Sequence, residues 1–216
     1  MRILTDPIRK CGFFLITRLT SLHCKIKILG KQNIPNTNQV LIVANHSSYL
    51  DVFILGVALF HNLINIRWVI SKTNYRKWYL QWLYWLNRVI VVNGTIEKAK
   101  QALNNNLWVA IFPEGAGKWC APKNEEKRKP GHGAATIALS TGVTILPIGI
   151  SGADKVLPAN SFKMNRQYGI AVRIGEAFSF EMAQQERIDQ ALLEKTTQEI
   201  MGRINALLGP DKKELN

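Results

Sequence analysis

The apolar positions of the chain follow two periods that together predict an α/β fold. Stretches rich in Val, Ile and Leu are predicted as strands at Lys25–Ile28, Val40–Ala44, Arg67–Ser71, Val89–Val92, Trp108–Phe112, Thr144–Ile150 and Gly169–Ile174. Several are continuous apolar runs, which is typical of strands covered on both faces. Helical spacing lies between them at 48–60, 75–86, 95–105 and 132–141, with a long terminal helix near 181–208.

Strands that alternate with helices indicate a single-domain, mixed and largely parallel sheet flanked by helices. A chain of 216 residues is long enough for one such domain with a sizeable core. An amphipathic helix at 7–21 is predicted before the first strand. The polar and basic segment from Gly115 to Gly133 contains Pro122 and Pro130, and it is predicted as a loop.

Basic residues are concentrated in the first half of the chain. Residues 1–100 hold 14 Lys and Arg against 3 Asp and Glu, which gives +11 of the total net charge of +13, whereas residues 136–216 hold nine of each sign. This asymmetry predicts a basic face with an anionic partner: phosphate head groups, an acidic carrier protein or nucleic acid. The charge alone does not choose among them.

The apolar stretches and the cysteines bear on the compartment. No apolar stretch approaches the roughly 18–20 residues that a membrane-spanning helix needs. The apolar segment 12–16 is short and no signal-peptide cleavage site follows it, so we expect no secretion. The cysteines Cys11, Cys24 and Cys120 form no close-spaced pair, which favours a reducing compartment.

The segment Asn45–Asp51 contains the polar residues that say most about chemistry. His46 and Asp51 lie five residues apart, directly after the apolar run Val40–Ala44. A strand that ends here and opens a helix would hold the imidazole at a sheet edge, with a carboxylate one turn later to orient it, as in a general base with its steering group. Considered alone, the segment is more typical of a capped helix start with an incidental His.

A second short box, Phe112-Pro113-Glu114-Gly115, closes a later apolar strand. Pro113 ends the strand and Gly115 permits a tight turn, so Glu114 is expected at the same sheet edge as His46. Its carboxylate would hold a substrate hydroxyl or a cation, or brace the backbone amides of the loop. The alternative is an ordinary strand-to-loop turn with a solvated Glu.

In this order the two boxes resemble the signature of the glycerolipid acyltransferase family, an HX4D motif followed by Phe-Pro-Glu-Gly. The sequence is similar to the bacterial 1-acylglycerol-3-phosphate acyltransferase branch from about Lys25 to Pro158. The similarity includes Lys72, the stretch Lys129–Ala134 and the stretch Leu146–Gly149. The predicted terminal helix contributes little to it.

The resemblance implies a one-step transfer of a fatty acyl group in phospholipid biosynthesis. His46 would take the proton from a lysolipid hydroxyl whose oxygen attacks an acyl thioester of acyl carrier protein or coenzyme A, and Asp51 would orient His46. The implied acceptor is 1-acylglycerol-3-phosphate, which gives phosphatidic acid. The thioester is a co-substrate, and neither a cofactor nor a metal is expected. The expected acceptor-binding residues are Glu114, Gly115, Lys72, Arg88 and Lys118.

Two departures from the family pattern concern the acceptor. The family usually continues its second box with Thr-Arg and places an Arg after the strand at 89–92, whereas this chain has Ala116-Gly117 and Asn93. Both arginines are associated with gripping a phosphate, and loss of a bidentate guanidinium is not conservative. Lys72, Arg88 or Lys118 would supply the charge instead, or the acceptor lacks a phosphate monoester, as in a larger lysophospholipid, an aminolipid or a glycolipid.

Two segments are candidates for docking on an anionic membrane surface. Trp78, Trp82 and Trp85 share one helical face beside basic residues, which is typical of a bilayer interface. The same face would equally line an acyl-chain groove or pack in the core. Phe13 and Phe14 lie among basic residues of the first predicted helix. We therefore expect a membrane-docking helix at 1–24, an acyltransferase domain at 25–216, and a peripheral location on the cytoplasmic side of the cell membrane.

A basic binding protein, with boxes that are only structural, is the alternative outside the enzymes. Nucleic acid would then be the obvious partner of the basic half. The aromatic residues cluster with Leu at helical spacing and no nucleic-acid motif occurs, so we expect no nucleic-acid partner.

Overall fold

A computed structural model of the chain describes residues 2–59, 66–71, 81–86, 89–92, 96–115, 129–158, 161, 163–184 and 188–209. The α-helices in these residues are α1 (Arg2–His23), α2 (Asp51–Ala58), α3 (Gln81–Leu86), α4 (Glu97–Asn104), α5 (Gly133–Thr141), α6 (Ala153–Val156) and α7 (Gln190–Ala206), and a short 3₁₀ helix spans Lys31–Asn33. The strands are β1 (Lys25–Leu29), β2 (Val40–Ala44), β3 (Ile66–Ser71), β4 (Ile90–Val92), β5 (Trp108–Ile111), β6 (Thr144–Ser151) and β7 (Gly169–Ile174).

The strands form one seven-stranded sheet in the order β1-β7-β6-β2-β5-β3-β4. Neighbouring strands are parallel except β6 and β7, which are antiparallel. The predicted mixed, largely parallel sheet is therefore confirmed. Strand β2 lies at the centre, between β6 and β5, although these strands come about a hundred and about seventy residues later in the chain.

Helices cover both faces of this sheet, which explains the continuous apolar runs in the sequence. Along β2, Val40 and Ile42 point to the layer that contains α2, whereas Leu41 and Val43 point to the layer that contains α4, α5 and α7. All five residues of β2 are buried. The strand is thus held on both faces, which fixes the position of the residues that follow it.

Helix α1 packs against α2 through a close approach at a glycine. A Cβ atom on Gly56 would lie 2.8 Å from the Phe13 ring and 2.9 Å from the Thr17 methyl group. Phe13 is buried and its ring lies 6.2 Å from that of Phe53. Phe13, one of the two residues expected to dock on a membrane, is therefore a packing residue in the structure, while Phe14 is 49% exposed.

The terminal helix differs most from its prediction, because it begins at Gln190 and not near 181. Phe178 forms an antiparallel bridge with Ile145, and the Ala183 amide donates to the Leu139 carbonyl at 2.8 Å. The chain before the helix is thus extended along β6 and α5. Asp189 then caps the helix by accepting from the Leu192 amide at 2.8 Å.

The other predicted elements agree with the structure to within a few residues where the structure describes them. Of the helix predicted at 75–86, the segment 81–86 is helical and 75–80 lies outside the described residues. Most of the predicted loop, 116–128, also lies outside them. In the part of the chain that the structure describes, no helix has the length and apolar character needed to cross a membrane.

Candidate active site

The two sequence boxes meet at the carboxyl ends of adjacent parallel strands. Val43 of β2 pairs with Ile111 of β5, so the chain that leaves β2 with His46 lies beside the chain that leaves β5 with Glu114. This edge is where open α/β sheets place their ligand sites, because the loops that follow the strands diverge there. The predicted meeting of the two boxes at one edge is thus present in the fold.

His46 and Asp51 are in direct contact. Nδ1 of His46 lies 2.8 Å from Oδ2 of Asp51, and the Asp51 side chain is fully buried, whereas 13% of the His46 side chain is exposed. A carboxylate has only acceptors, so Nδ1 carries the proton and donates it to Asp51. The neutral ring therefore has its lone pair on Nε2, as a general base requires.

The buried Asp51 carboxylate is stabilised by backbone donors as well as by the imidazole. Its Oδ2 atom accepts from the amide of Ser47 at 2.7 Å and from the amide of Ser48 at 2.8 Å. Asp51 also opens helix α2, where the positive end of the helix dipole favours a negative charge. Among the described residues, Oδ1 of Asp51 and Oγ of Ser47 have no hydrogen-bond partner.

Asn45 fixes the start of this box to the neighbouring strand. Its Nδ2 donates to the Ile150 carbonyl at 2.8 Å, and its Oδ1 accepts from the Ile150 amide at 2.7 Å. The side chain thereby satisfies both backbone groups of Ile150 beyond the last paired residue of β2. Ser48 adds a second tie, since its Oγ donates to the Leu157 carbonyl at 2.9 Å. The box is therefore held from two sides.

The His46 ring stacks on the aromatic residue of the second box. Its centroid lies 4.3 Å from that of Phe112, with 16° between the ring planes. The Phe112 ring in turn lies 6.2 Å from that of the buried Trp68. Phe112 thus sets the plane of the imidazole, and its π face is favourably placed for the positive charge of an imidazolium. The sequence interpretation missed this contact, although the position of Phe112 at the end of its strand was a signal for it.

Glu114 lies in a tight turn that backbone bonds hold in place. The Gly115 amide donates to the Phe112 carbonyl at 3.0 Å, and Gly115 has a φ of 64°, in the region that favours glycine. The Pro113 carbonyl accepts from the Gly131 amide at 2.9 Å. Glu114 itself is half-buried. The turn is therefore tied to the segment that leads into α5.

The structure brings together only part of the predicted site. His46, Asp51, Glu114 and Gly115 lie at one edge of the sheet, as described above. The three expected cationic residues, Lys72, Arg88 and Lys118, lie outside the described residues, as do Asn93, Ala116, Gly117 and Trp78. Trp82 belongs to α3, with no side chain described, and Trp85 is 44% exposed.

His132 takes part in a network that its position in a predicted loop did not indicate. It directly precedes α5, and its Nδ1 lies 2.9 Å from Oγ1 of Thr197 on α7. Its Nε2 lies 3.3 Å from Nε2 of Gln190. The partners are 65 and 58 residues away in sequence, so no local pattern signals them.

Two further observations concern the chemistry of the described residues. Among them, no group of three His, Cys, Asp or Glu side chains has the arrangement of a metal site. Burial raises the pKa of the Cys24 thiol above its ordinary value, and the charge of Arg166 offsets part of this effect. Cys24 belongs to neither box, and it is a core residue.

Comparison with known proteins places these features in a family. A family model described as Acyltransferase matches residues 25–151. A 1-acyl-sn-glycerol-3-phosphate acyltransferase of Chlamydomonas reinhardtii is 23% identical over 73% of the chain and 48% of the relative. A chloroplastic 1-acyl-sn-glycerol-3-phosphate acyltransferase of Arabidopsis thaliana is 27% identical over 74% of the chain and 46% of the relative. The chain thus spans about half the length of the curated relatives it matches.

A solved structure shares the fold. The crystal structure of PlsC, the 1-acyl-sn-glycerophosphate acyltransferase from Thermotoga maritima, aligns with a TM-score of 0.65 over 97% of this chain and 85% of that one, at 21% identity. The family match covers more than half of the chain and contains His46, Asp51 and Glu114. Both boxes, the sheet that joins them and this match therefore agree, and the chain belongs to the acyltransferase family.

Proposed function

We propose that the protein transfers a fatty acyl group from an acyl thioester to the hydroxyl of a lysolipid, with His46 as the general base. The observation that carries this proposal is the bond of 2.8 Å between Nδ1 of His46 and the fully buried Asp51 carboxylate. It fixes the tautomer whose Nε2 accepts a proton, and it stabilises the imidazolium that then forms.

The reaction proceeds by a single displacement. Nε2 of His46 takes the hydroxyl proton as the acceptor oxygen forms a bond to the thioester carbonyl carbon. The tetrahedral intermediate collapses as the carbon–sulfur bond breaks, and the thiolate leaves with the proton that His46 returns. Ester and free thiol are the products. General-base catalysis of this kind contributes about 10²–10⁴ in rate, so positioning of both substrates supplies the remainder.

The acceptor is 1-acylglycerol-3-phosphate in this proposal, and the product is phosphatidic acid. Both curated relatives carry the name of that activity. The turn at Glu114 and Gly115 binds the acceptor, while Lys72, Arg88 and Lys118 hold its phosphate. Acyl carrier protein or coenzyme A carries the acyl group, and the basic first half of the chain suits either anionic carrier.

A lysolipid without a phosphate monoester is the second candidate acceptor. The specific observation in its favour is the sequence at the two positions where the family has phosphate-binding arginines, which are Asn93 and Gly117 in this chain. A larger lysophospholipid, an aminolipid or a glycolipid would suit such a site.

The protein acts at the surface of an anionic membrane in this proposal, on the cytoplasmic side of the cell membrane. Helix α1 supports this, because it exposes a row of large apolar side chains: Phe14 at 49%, Leu15 at 58%, Leu19 at 46% and Leu22 at 72%. Arg18 lies within this row, and Lys25 and Lys27 follow it on β1, the edge strand. Trp85 is exposed on α3, and the proposed docking surface includes it together with Trp78 and Trp82, which the sequence alone assigns to it.

The test is an acyl-transfer assay in which purified protein, acyl-coenzyme A or acyl carrier protein, and a panel of lysolipids are incubated and the products identified by mass spectrometry. We expect most product from 1-acylglycerol-3-phosphate. Product from larger or phosphate-free lysolipids alone would select the second candidate. Absence of product from every lysolipid would contradict the proposed function.

The catalytic roles are tested by substitution in the same assay. His46→Ala removes the base, and Asp51→Asn removes the charge that stabilises the imidazolium, so we expect kcat to fall by about 10²–10⁴ in each variant. His23→Ala is the matched control, because His23 is exposed at the end of α1. Circular dichroism shows whether each variant is folded. Full transfer by folded His46→Ala protein would refute the general-base role.

A further inference from the structure

The terminal helix α7 lies beyond the segment that the family model matches, yet it contacts the segment that leads into α5. Thr197 is buried, with 6% of its surface exposed. It faces His132, the residue directly before α5, and the two side chains are joined by a hydrogen bond of 2.9 Å. The buried Thr197 hydroxyl on α7 thus makes a specific polar contact with His132.

The tautomer of His132 follows from its second contact. The side-chain amide of Gln190 is oriented by its nitrogen, Nε2, which donates to Oε1 of Glu194 at 2.9 Å. The same Gln190 nitrogen lies 3.3 Å from Nε2 of His132. An amide nitrogen is only a donor, so Nε2 of His132 accepts. Nδ1 therefore carries the proton and donates to Thr197. Both ring nitrogens are then engaged by α7.

Backbone contacts connect His132, which α7 holds, to the second sequence box. The preceding residue, Gly131, donates its amide to the Pro113 carbonyl at 2.9 Å, and Pro113 adjoins Glu114. The His132 carbonyl also accepts from the Thr136 hydroxyl at 2.8 Å, which seats the residue on the first turn of α5. A continuous path of short contacts thus runs from Thr197 through His132 and Gly131 to the turn that contains Glu114.

We propose that His132, clamped by Thr197 of α7, is a positioning residue that holds the Glu114 turn in the geometry that binds the acceptor. The clamp rests on the proposed function, since it assigns a purpose to the turn that binds the lysolipid. The described side-chain contacts of His132 are with Thr197 and Gln190 of α7 and not with His46. Loss of the clamp therefore weakens acceptor binding and leaves the chemical step in place.

The matched pair Thr197→Val and Thr196→Val tests the clamp. Both residues are buried on the same turn of α7, and valine keeps the volume of threonine. Only the first change removes the acceptor that His132 uses. We expect Thr197→Val to raise the KM for the lysolipid about three- to tenfold, with kcat and the KM for the thioester unchanged. Thr197→Ser restores the hydroxyl, and so we expect it to restore KM.

Amide hydrogen exchange gives a readout that does not depend on activity. Thr197→Val is expected to speed exchange in peptides that cover 112–115 and 129–135, relative to Thr196→Val and Thr197→Ser. Equal exchange in the two valine variants would overturn the clamp, as would faster exchange with an unchanged KM for the lysolipid. If the wild-type protein uses no lysolipid, the proposed function fails instead, and the exchange comparison alone decides whether His132 holds the turn.

Discussion

At the scale of single residues, the contacts of the catalytic box divide into those that sequence spacing indicates and those that it does not. The contact between His46 and Asp51 is local, across five residues, and the turn that leads into α2 brings them together. The contact that Asn45 makes is not local. Its partner, Ile150, is 105 residues away, and only the pairing of β2 with β6 brings the two together. Polar pairs of this kind have no local signature.

The Asn45 side chain is expected to contribute to stability as well as to the site. Asn45→Ala would leave both backbone groups of the buried Ile150 without their present partners. An orphaned buried polar group costs about 1–3 kcal/mol, so we expect the free energy of unfolding to fall by about 2–4 kcal/mol. Urea denaturation measures the loss. We also expect lower kcat, because His46 follows directly.

Asn205→Ala is the control for this variant, because Asn205 is exposed on α7. Its free energy of unfolding should stay within about 0.5 kcal/mol of wild type, as is usual for surface changes. If the free energy of unfolding of Asn45→Ala also stayed within about 0.5 kcal/mol of wild type, Asn45 would not link β2 to β6 as proposed.

At the scale of elements, the strands were predictable because both faces of the sheet are covered. A continuous apolar run such as Val40–Ala44 needs no knowledge of its partners to be identified as a buried strand. The start of α7 was not predictable from local pattern, since the residues before it are held extended by the bridge from Phe178 to Ile145. Tertiary contacts there override helical spacing.

The packing of α1 on α2 gives a prediction at this scale. Gly56→Ala places a methyl group 2.8 Å from the Phe13 ring, and overpacking of this kind costs typically about 1–3 kcal/mol. We expect a lower melting temperature and faster proteolytic cleavage within α1, because the helix must move away from α2.

Gly202→Ala is the matched control, since it is also a glycine-to-alanine change within a helix. A Cβ on Gly202 meets nothing within 4 Å, so the better helix propensity of alanine should stabilise the protein by about 0.5–1 kcal/mol. Equal gains from both variants would show that α1 does not pack closely at Gly56.

At the scale of the whole molecule, charge and exposed apolar surface coincide at the N-terminal end. We expect the protein to co-sediment with vesicles of anionic phospholipid and to dissociate as salt is added, because the Debye length falls from about 30 Å at 0.01 M to about 3 Å at 1 M. The pair Leu15→Gln and Leu22→Gln removes two of the most exposed apolar side chains of α1 and should weaken binding.

Met182→Gln is the control for the vesicle experiment, because Met182 is 69% exposed and lies far from α1 in sequence, before α7. It should bind vesicles as the wild type does. Binding that is insensitive both to salt and to the two α1 substitutions would assign those leucines to another role.

The pairing of the first strand with the last has a consequence for the order in which the molecule is made. Lys25 of β1 pairs with Gly169 of β7, a separation of 144 residues. Asn45, which follows β2, bonds to Ile150 of β6 and so cannot form this contact until β6 is in place. Contacts this distant in sequence slow folding, because a long loop must close before the contact is gained. On the ribosome, the segment around His46 therefore emerges long before its partner strands are made. During that interval the apolar residues of β2 remain exposed. The nascent chain should accordingly depend on chaperones more than its modest size suggests.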